Sequence, residues 1–223
     1  MKELTFYNKN MKCIILITIL CLTYFKVTEA RPVSYPGGIT LMLMNDSMKN
    51  SLHAHYSPSA QTSFGYKFEY WRGNEFSLNM IQMNNLIKRW NKPDSQANFY
   101  IKSGIGSAYS DKGHFESKNN FAGFIGISAD WEDQRYFIQY GNRYTNAVEI
   151  DNFYTQFVHI GITPYIGDYG DIHTWLMIKV NHTPEFKRNI VVTPHLRFFK
   201  NVHLLEVGAD TRGKIMFNYV YRY

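Results

Sequence analysis

The last nine residues, Ile215-Met216-Phe217-Asn218-Tyr219-Val220-Tyr221-Arg222-Tyr223, alternate without a break. The odd positions are all large and apolar or aromatic, and the even ones carry Met216, Asn218, Val220 and Arg222. Successive side chains on a strand point to opposite faces. The segment is therefore a strand with one greasy face and one mostly polar face, and the aromatic series runs to the final residue. Soluble domains seldom carry an exposed aromatic ladder of this kind.

The ladder resembles the C-terminal assembly signal of Gram-negative outer-membrane β-barrels, whose last strand closes the barrel and ends in an aromatic residue. The resemblance implies an antiparallel up-and-down transmembrane β-barrel in the bacterial outer membrane. It implies that Phe217, Tyr219, Tyr221 and Tyr223 form the assembly signal and face lipid, while Lys214, Asn218 and Arg222 face the interior. The implied partners are outer-membrane lipids and the barrel-assembly machinery. The resemblance is to a class, not to a characterised family, so it carries over no catalytic residue.

Such a barrel must be exported. Met11-Lys12 precedes an apolar run from Cys13 to Phe25, and Thr28-Glu29-Ala30 offers small residues for cleavage before Arg31. This is the pattern of a cleaved signal peptide over residues 1–30, and it sits more naturally with Met11 as the start. The run is too short for a membrane helix, which needs about 20 apolar residues. Cys13 and Cys21 both lie inside it, so the mature chain has no disulfide framework, thiolate metal site or cysteine nucleophile. Residues 31–37 read as a short periplasmic segment and 38–223 as the barrel.

Removing residues 1–30 takes away four Lys and two acids, so the net charge falls from +6 to +4. The remaining charge is scattered, without the Lys/Arg stripe that a nucleic-acid binder would show. The 17 Tyr and 16 Phe fit a membrane barrel better, because aromatic residues mark its two interfaces.

The first hairpin can be registered by eye. Ile39, Leu41 and Leu43 alternate with Thr40, Met42 and Met44; after a turn, Leu52, Ala54 and Tyr56 alternate with Ser51, His53 and His55. Pairing positions whose numbers sum to 95 makes one face apolar and the other polar, as cross-strand pairing requires. The same rhythm gives twelve strands in six hairpins, with ten as the alternative. Phe76, Leu78 and Met80 read as an apolar face, with a bulge expected near Ile81 that turns Gln82 and Asn84 inward. Phe121 to Ala129 is apolar on both faces, and the pattern does not assign its sides. Ile81 to Trp90 is the best helical candidate, but Pro93 and the Asn pair break it. No connection is long, which argues against a receptor or adhesin.

The set expected to face the lumen is Lys67, Glu69, Lys102, Arg135, Arg143, Lys179, His195, Arg197, Glu206, Lys214 and Arg222. In a small barrel such side chains either line a narrow channel or interlock as ion pairs; the interlocked reading is preferred, because inward Trp71, Tyr100, Trp175 and Phe199 would fill much of the space. Met42, Met44, His53 and His55 share one face, and thioether plus imidazole suits a soft or borderline metal. The bland reading is that Met fills gaps and His plugs a polar interior. His55 and Ser57 are candidates for a base and nucleophile. No cofactor is called for. The expected function is a narrow small-solute pore or a structural envelope protein. The alternatives are an acyl hydrolase acting on phospholipid or lipid A, and a soluble periplasmic β-barrel or sandwich, metal-binding in one version.

Overall fold

The structure is a computed structural model that describes residues 35–110, 118–168 and 170–223. The expected export signal over residues 1–30 lies outside them. The strands are β1 (Ile39–Asn45), β2 (Lys49–Tyr56), β3 (Thr62–Trp71), β4 (Phe76–Asn91), β5 (Ser95–Ser110), β6 (Lys118–Asp133), β7 (Tyr136–Ala147), β8 (Asp151–Ile162), β9 (His173–His182), β10 (Ile190–Lys200), β11 (His203–Ala209) and β12 (Ile215–Arg222). Each pairs antiparallel with its neighbours in sequence, and β12 pairs with β1, so the sheet is a closed barrel of twelve strands. The expectation of an all-β, up-and-down barrel with twelve strands holds, and the helical candidate is part of β4.

Closure is carried by the segment that the sequence singles out. Thr40 faces Arg222, Met42 faces Val220 and Met44 faces Asn218, and Ile39 and Tyr223 exchange backbone hydrogen bonds at 2.8 and 2.7 Å. On the other side, β1 meets β2 in the register whose numbers sum to 95, from Ile39 opposite Tyr56 to Asn45 opposite Asn50. The β10–β11 hairpin turns on Asn201 and Val202, with Asn201 at a φ of 54°, the left-handed geometry that tight hairpins favour.

Alternation then sorts every strand. Leu41, Leu43, Ile81, Ile105, Ile125, Ile138, Ile160, Ile178, Leu196 and Phe217 are exposed on the outside. Aromatic residues gather near the strand ends, with Tyr56, Trp90, Trp131 and Tyr136 at the end bearing the termini and Tyr70, Tyr109, Phe121 and Tyr144 at the far end. An aliphatic belt between two aromatic girdles is the exterior of a barrel that spans a membrane.

Two local readings need correction. The alternation in β4 runs unbroken from Phe76 to Leu86, and the bulge lies between Leu86 and Lys88, not near Ile81. Phe76, Leu78 and Met80 therefore point inward and are fully buried, while Ser77 and Asn79 face out. The expectation equated apolar with outward. It failed because this end of the interior is itself apolar, and because Tyr66 Oη donates to Asn79 Oδ1 at 2.6 Å on the outer face. In β6, Ala122, Phe124, Gly126 and Ser128 are buried on the inside, and Phe121, Ile125 and Ile127 lie outside.

The buried apolar cluster fills the far end of the barrel on the side of β3 to β8. Trp71 packs edge-on to Phe153 at 4.6 Å between ring centroids, Phe76 meets Phe153 at 6.0 Å, and Leu78, Met80, Ala108, Ala122, Phe124, Ala147 and Ile150 belong to the same cluster. The β9–β10 connection adds Phe186, 5.4 Å from Phe153 and 5.9 Å from Trp71. Phe153 is 0% exposed. Its replacement by Ala is expected to cost about 3–5 kcal/mol, measured by urea unfolding of the refolded barrel, because a buried ring leaves a cavity behind. Ile125→Ala on the lipid face should cost clearly less in the same detergent; equal losses would contradict the inward packing of Phe153.

Candidate functional site

Below the apolar cluster the interior is charged, and its centre is Glu69. This carboxylate is 0% exposed. Lys49 Nζ lies 2.7 Å from Oε1, Lys67 Nζ 3.2 Å from the same oxygen, and Arg143 Nη1 2.7 Å from Oε2. Lys49 and Lys67 come from the adjacent strand and the same strand. Arg143 comes from β7 and reaches across the lumen. Three cations thus share one anion, and Nε and Nη2 of Arg143 are buried without a hydrogen-bond partner.

Alternation places the cations here, and glycines make room for them. Phe124 sits opposite Gly104, where an added Cβ would come within 2.3 Å of its ring. The ring lies flat on the wall and presents its face to the lumen. Arg143 Cζ sits 4.0 Å and Lys67 Nζ 5.4 Å from its centroid, an arrangement that stabilises cations through the ring quadrupole. Phe157 lies against Gly141 in the same way, with Lys179 Nζ 5.4 Å from its centroid. Lys179 also approaches Asp46 Oδ2 at 3.8 Å.

On the wall formed by β8, β10 and β11, Glu206 accepts from Arg197 Nε and Nη2, both at 2.8 Å on Oε1, and from Asn218 Nδ2 at 2.7 Å on Oε2. His195 Nε2 is 3.7 Å from Oε1 and 2.9 Å from His159 Nε2. Nearer the termini, Asn98 bridges Arg89 Nε at 2.7 Å and Asp130 Oδ1 at 2.7 Å, and Lys102 lies 5.8 Å from the Tyr100 ring centroid.

The structure therefore turns Lys67, Glu69, Lys102, Arg143, Lys179, His195, Arg197, Glu206 and Arg222 inward. Arg135 lies in the β6–β7 turn and Lys214 in the β11–β12 turn, both exposed, so neither belongs to the lumen. Each was assigned by extending strand parity past the strand end, where a turn resets it. The interior is also not polar throughout, given the cluster around Phe153. Lys49, Asp46, Arg89, Asp130 and His159 join the charged and imidazole network. Asp46 and Lys49 flank a turn, and His159 joins His195 only when β8 and β10 are brought near each other.

Met42 and His53 are cross-strand partners, as are Thr40 and His55, and the His53 and His55 rings lie 4.7 Å apart. Nε2 of His53 and both ring nitrogens of His55 are buried without hydrogen-bond partners. His53 pairs across the sheet with Lys67, and Thr40 pairs with Arg222, so cations stand beside this face. Ser57 is fully buried at the end of β2, and with no partner on either His55 nitrogen the two do not form the hydrogen-bonded couple that an activated serine needs.

No protein-family model matches the chain, and no curated protein matches it. Among solved structures it is similar to the KdgM porin in complex with disordered oligogalacturonate, at 10% identity and a TM-score of 0.49, over 83% of this chain and 98% of that one. A second KdgM porin structure matches at 11% identity and a TM-score of 0.46, over 83% of this chain and 98% of that one. OccAB4 of Acinetobacter baumannii matches at 10% identity and a TM-score of 0.39, over 82% of this chain and 56% of that one. No residue role is carried over from any of them.

Removing one member of a buried charge cluster leaves the others uncompensated, typically at about 3–5 kcal/mol. Glu69→Gln is expected to lose stability of that order in urea unfolding, because it strands Lys49, Lys67 and Arg143 together. A loss within about 0.5 kcal/mol, as at an ordinary surface site, would contradict the geometry.

The β11–β12 turn gives a pH test outside the spanning strands. Burial pushes the Asp210 carboxyl up, but hydrogen bonds from Arg212 and from the backbone of Lys214 and Arg212 more than offset this and hold it at about 2, below its ordinary 3.8. A depressed carboxyl stabilises the fold above its unfolded value, and the contribution is lost as pH falls through the folded value. Asp210→Asn should thus lower the urea midpoint at pH 7, and the two proteins should converge as pH falls from about 4 toward 2. A gap that persists unchanged near pH 2 would contradict the assignment.

Proposed function

We propose that the chain is a narrow outer-membrane pore for small solutes, with a preference for anions. The observation that carries the reading is the charge surplus at Glu69, where Lys49, Lys67 and Arg143 surround one carboxylate and two Arg143 donor atoms remain free. In a narrow passage with low-dielectric walls, one sign of fixed charge focuses the field and concentrates ions of the opposite sign. Rings of Arg and Lys are the usual means of passing anions through a protein pore.

The geometry also supports the word narrow. Arg143 spans the lumen from β7 to β3, and the aromatic cluster occupies part of the far end. Phe186 belongs to a connection rather than to the wall, so it can be removed without altering the strands. Export and membrane insertion through the closing strand follow from the same reading. The exposure of Phe217 and Tyr223 on the outer face supports contact with lipid and the assembly machinery.

The test is conductance of the purified barrel in planar bilayers under a potassium chloride gradient. Discrete steps with an anion-selective reversal potential are expected. Lys67→Glu should shift the reversal potential toward cations, and Phe186→Ala should enlarge the steps. An absence of steps from folded protein would leave a structural barrel as the better reading, and cation selectivity in the unaltered protein would overturn the anion preference.

A further inference from the structure

The wall cluster on β8, β10 and β11 does more than pair charges. We propose that His159, His195 and Glu206 form a binding site for a divalent transition-metal ion of the zinc class. Their ligand atoms all lie within 4.8 Å of one another, and all three side chains are buried. Two imidazoles and a carboxylate are a ligand set that such ions accept, with a remaining position open to water or solute.

The neighbouring bonds orient these groups as ligands. His195 Nδ1 lies 3.1 Å from the Thr193 carbonyl oxygen, which fixes the proton on Nδ1 and leaves the Nε2 lone pair free. A ligating histidine commonly gives its second nitrogen to a backbone carbonyl in this way. Glu206 is held by Asn218 on one oxygen and by Arg197 on the other. Gly208 stands opposite His195, and a Cβ there would come within 2.4 Å of the His195 Cβ, so the glycine gives the imidazole its place on the wall.

The two Nε2 atoms, 2.9 Å apart, share one proton in the metal-free protein, with His159 the donor. When the ion binds, His159 moves that proton to its own Nδ1, and both Nε2 lone pairs turn to the metal. No net proton is gained or lost. Arg197 and Lys179 stand close by, Lys179 as the cross-strand partner of His159, and their charge keeps the site weak enough to exchange its ion. This separates it from the His53 and His55 face, which lies among Lys67 and Arg222 with no carboxylate ligand joined to it among the described residues.

The experiment titrates zinc chloride into the refolded full barrel in detergent, read by calorimetry and by competition with a chromophoric chelator, with magnesium as the control. One equivalent of zinc and none of magnesium is expected. His159→Ala and His195→Ala should abolish binding, His159→Gln and His195→Gln providing gentler replacements if either fails to fold. His53→Ala/His55→Ala should keep the full equivalent. Asn218→Ala, which removes a hydrogen bond to Glu206 but none of the three ligands, should weaken binding by about 10-fold in protein that still folds, as the loss of an outer hydrogen bond does. The proposal is overturned if the unaltered barrel binds no zinc, or if folded His159 and His195 variants keep it, or if His53→Ala/His55→Ala loses it. None of these readouts requires conductance, so failure here leaves the pore reading untouched.

Discussion

Everything in this barrel depends on the pairing of β12 with β1. In the hydrocarbon of a membrane no water is present to satisfy a free N–H or C=O, so a sheet survives there only if it has no edge. The ladder from Thr40–Arg222 to Asn45–Phe217 removes the last edge. Once it closes, the parity of every strand is fixed relative to every other. Lys67, Arg143 and Lys179 then have nowhere to go but inward, and the cost of burying them has to be met inside. Glu69 and Asp46 meet part of it, and the faces of Phe124 and Phe157 meet another part.

How much of this was legible depended on how directly residue type reports environment. In β1, β2 and β12 the outward positions are mostly apolar and the inward ones mostly polar, so strand and face could be written down from the sequence, and for β1 with β2 the register as well. The alternation of Phe76, Leu78 and Met80 was equally clear, but its sign was not. Apolar side chains serve a lipid-facing wall and a packed interior alike, and only the neighbours in space distinguish them. Phe153 and Phe186 supply those neighbours from β8 and from a connection far along the chain. Arg135 and Lys214 failed for a simpler reason, since parity has no meaning past the end of a strand.

The charged interior shows the same division. That Lys67, Glu69 and Arg143 face inward could be read locally, whereas their meeting at one carboxylate could not, because Arg143 comes from β7, four strands away from β3 around the barrel. His159, His195 and Glu206 illustrate the point further. Nothing in their spacing resembles a ligand motif, and they converge only because strand register sets their heights.

The glycines beneath Phe124 and Phe157 have a consequence for the bore. Each ring occupies the thickness that a missing side chain leaves in the wall, so the clear diameter is governed by what is absent at Gly104 and Gly141 as much as by strand number. A barrel built on this plan can be re-gauged by exchanging small residues for larger ones at such positions, one pair at a time, while the number of strands and the closing seam stay as they are.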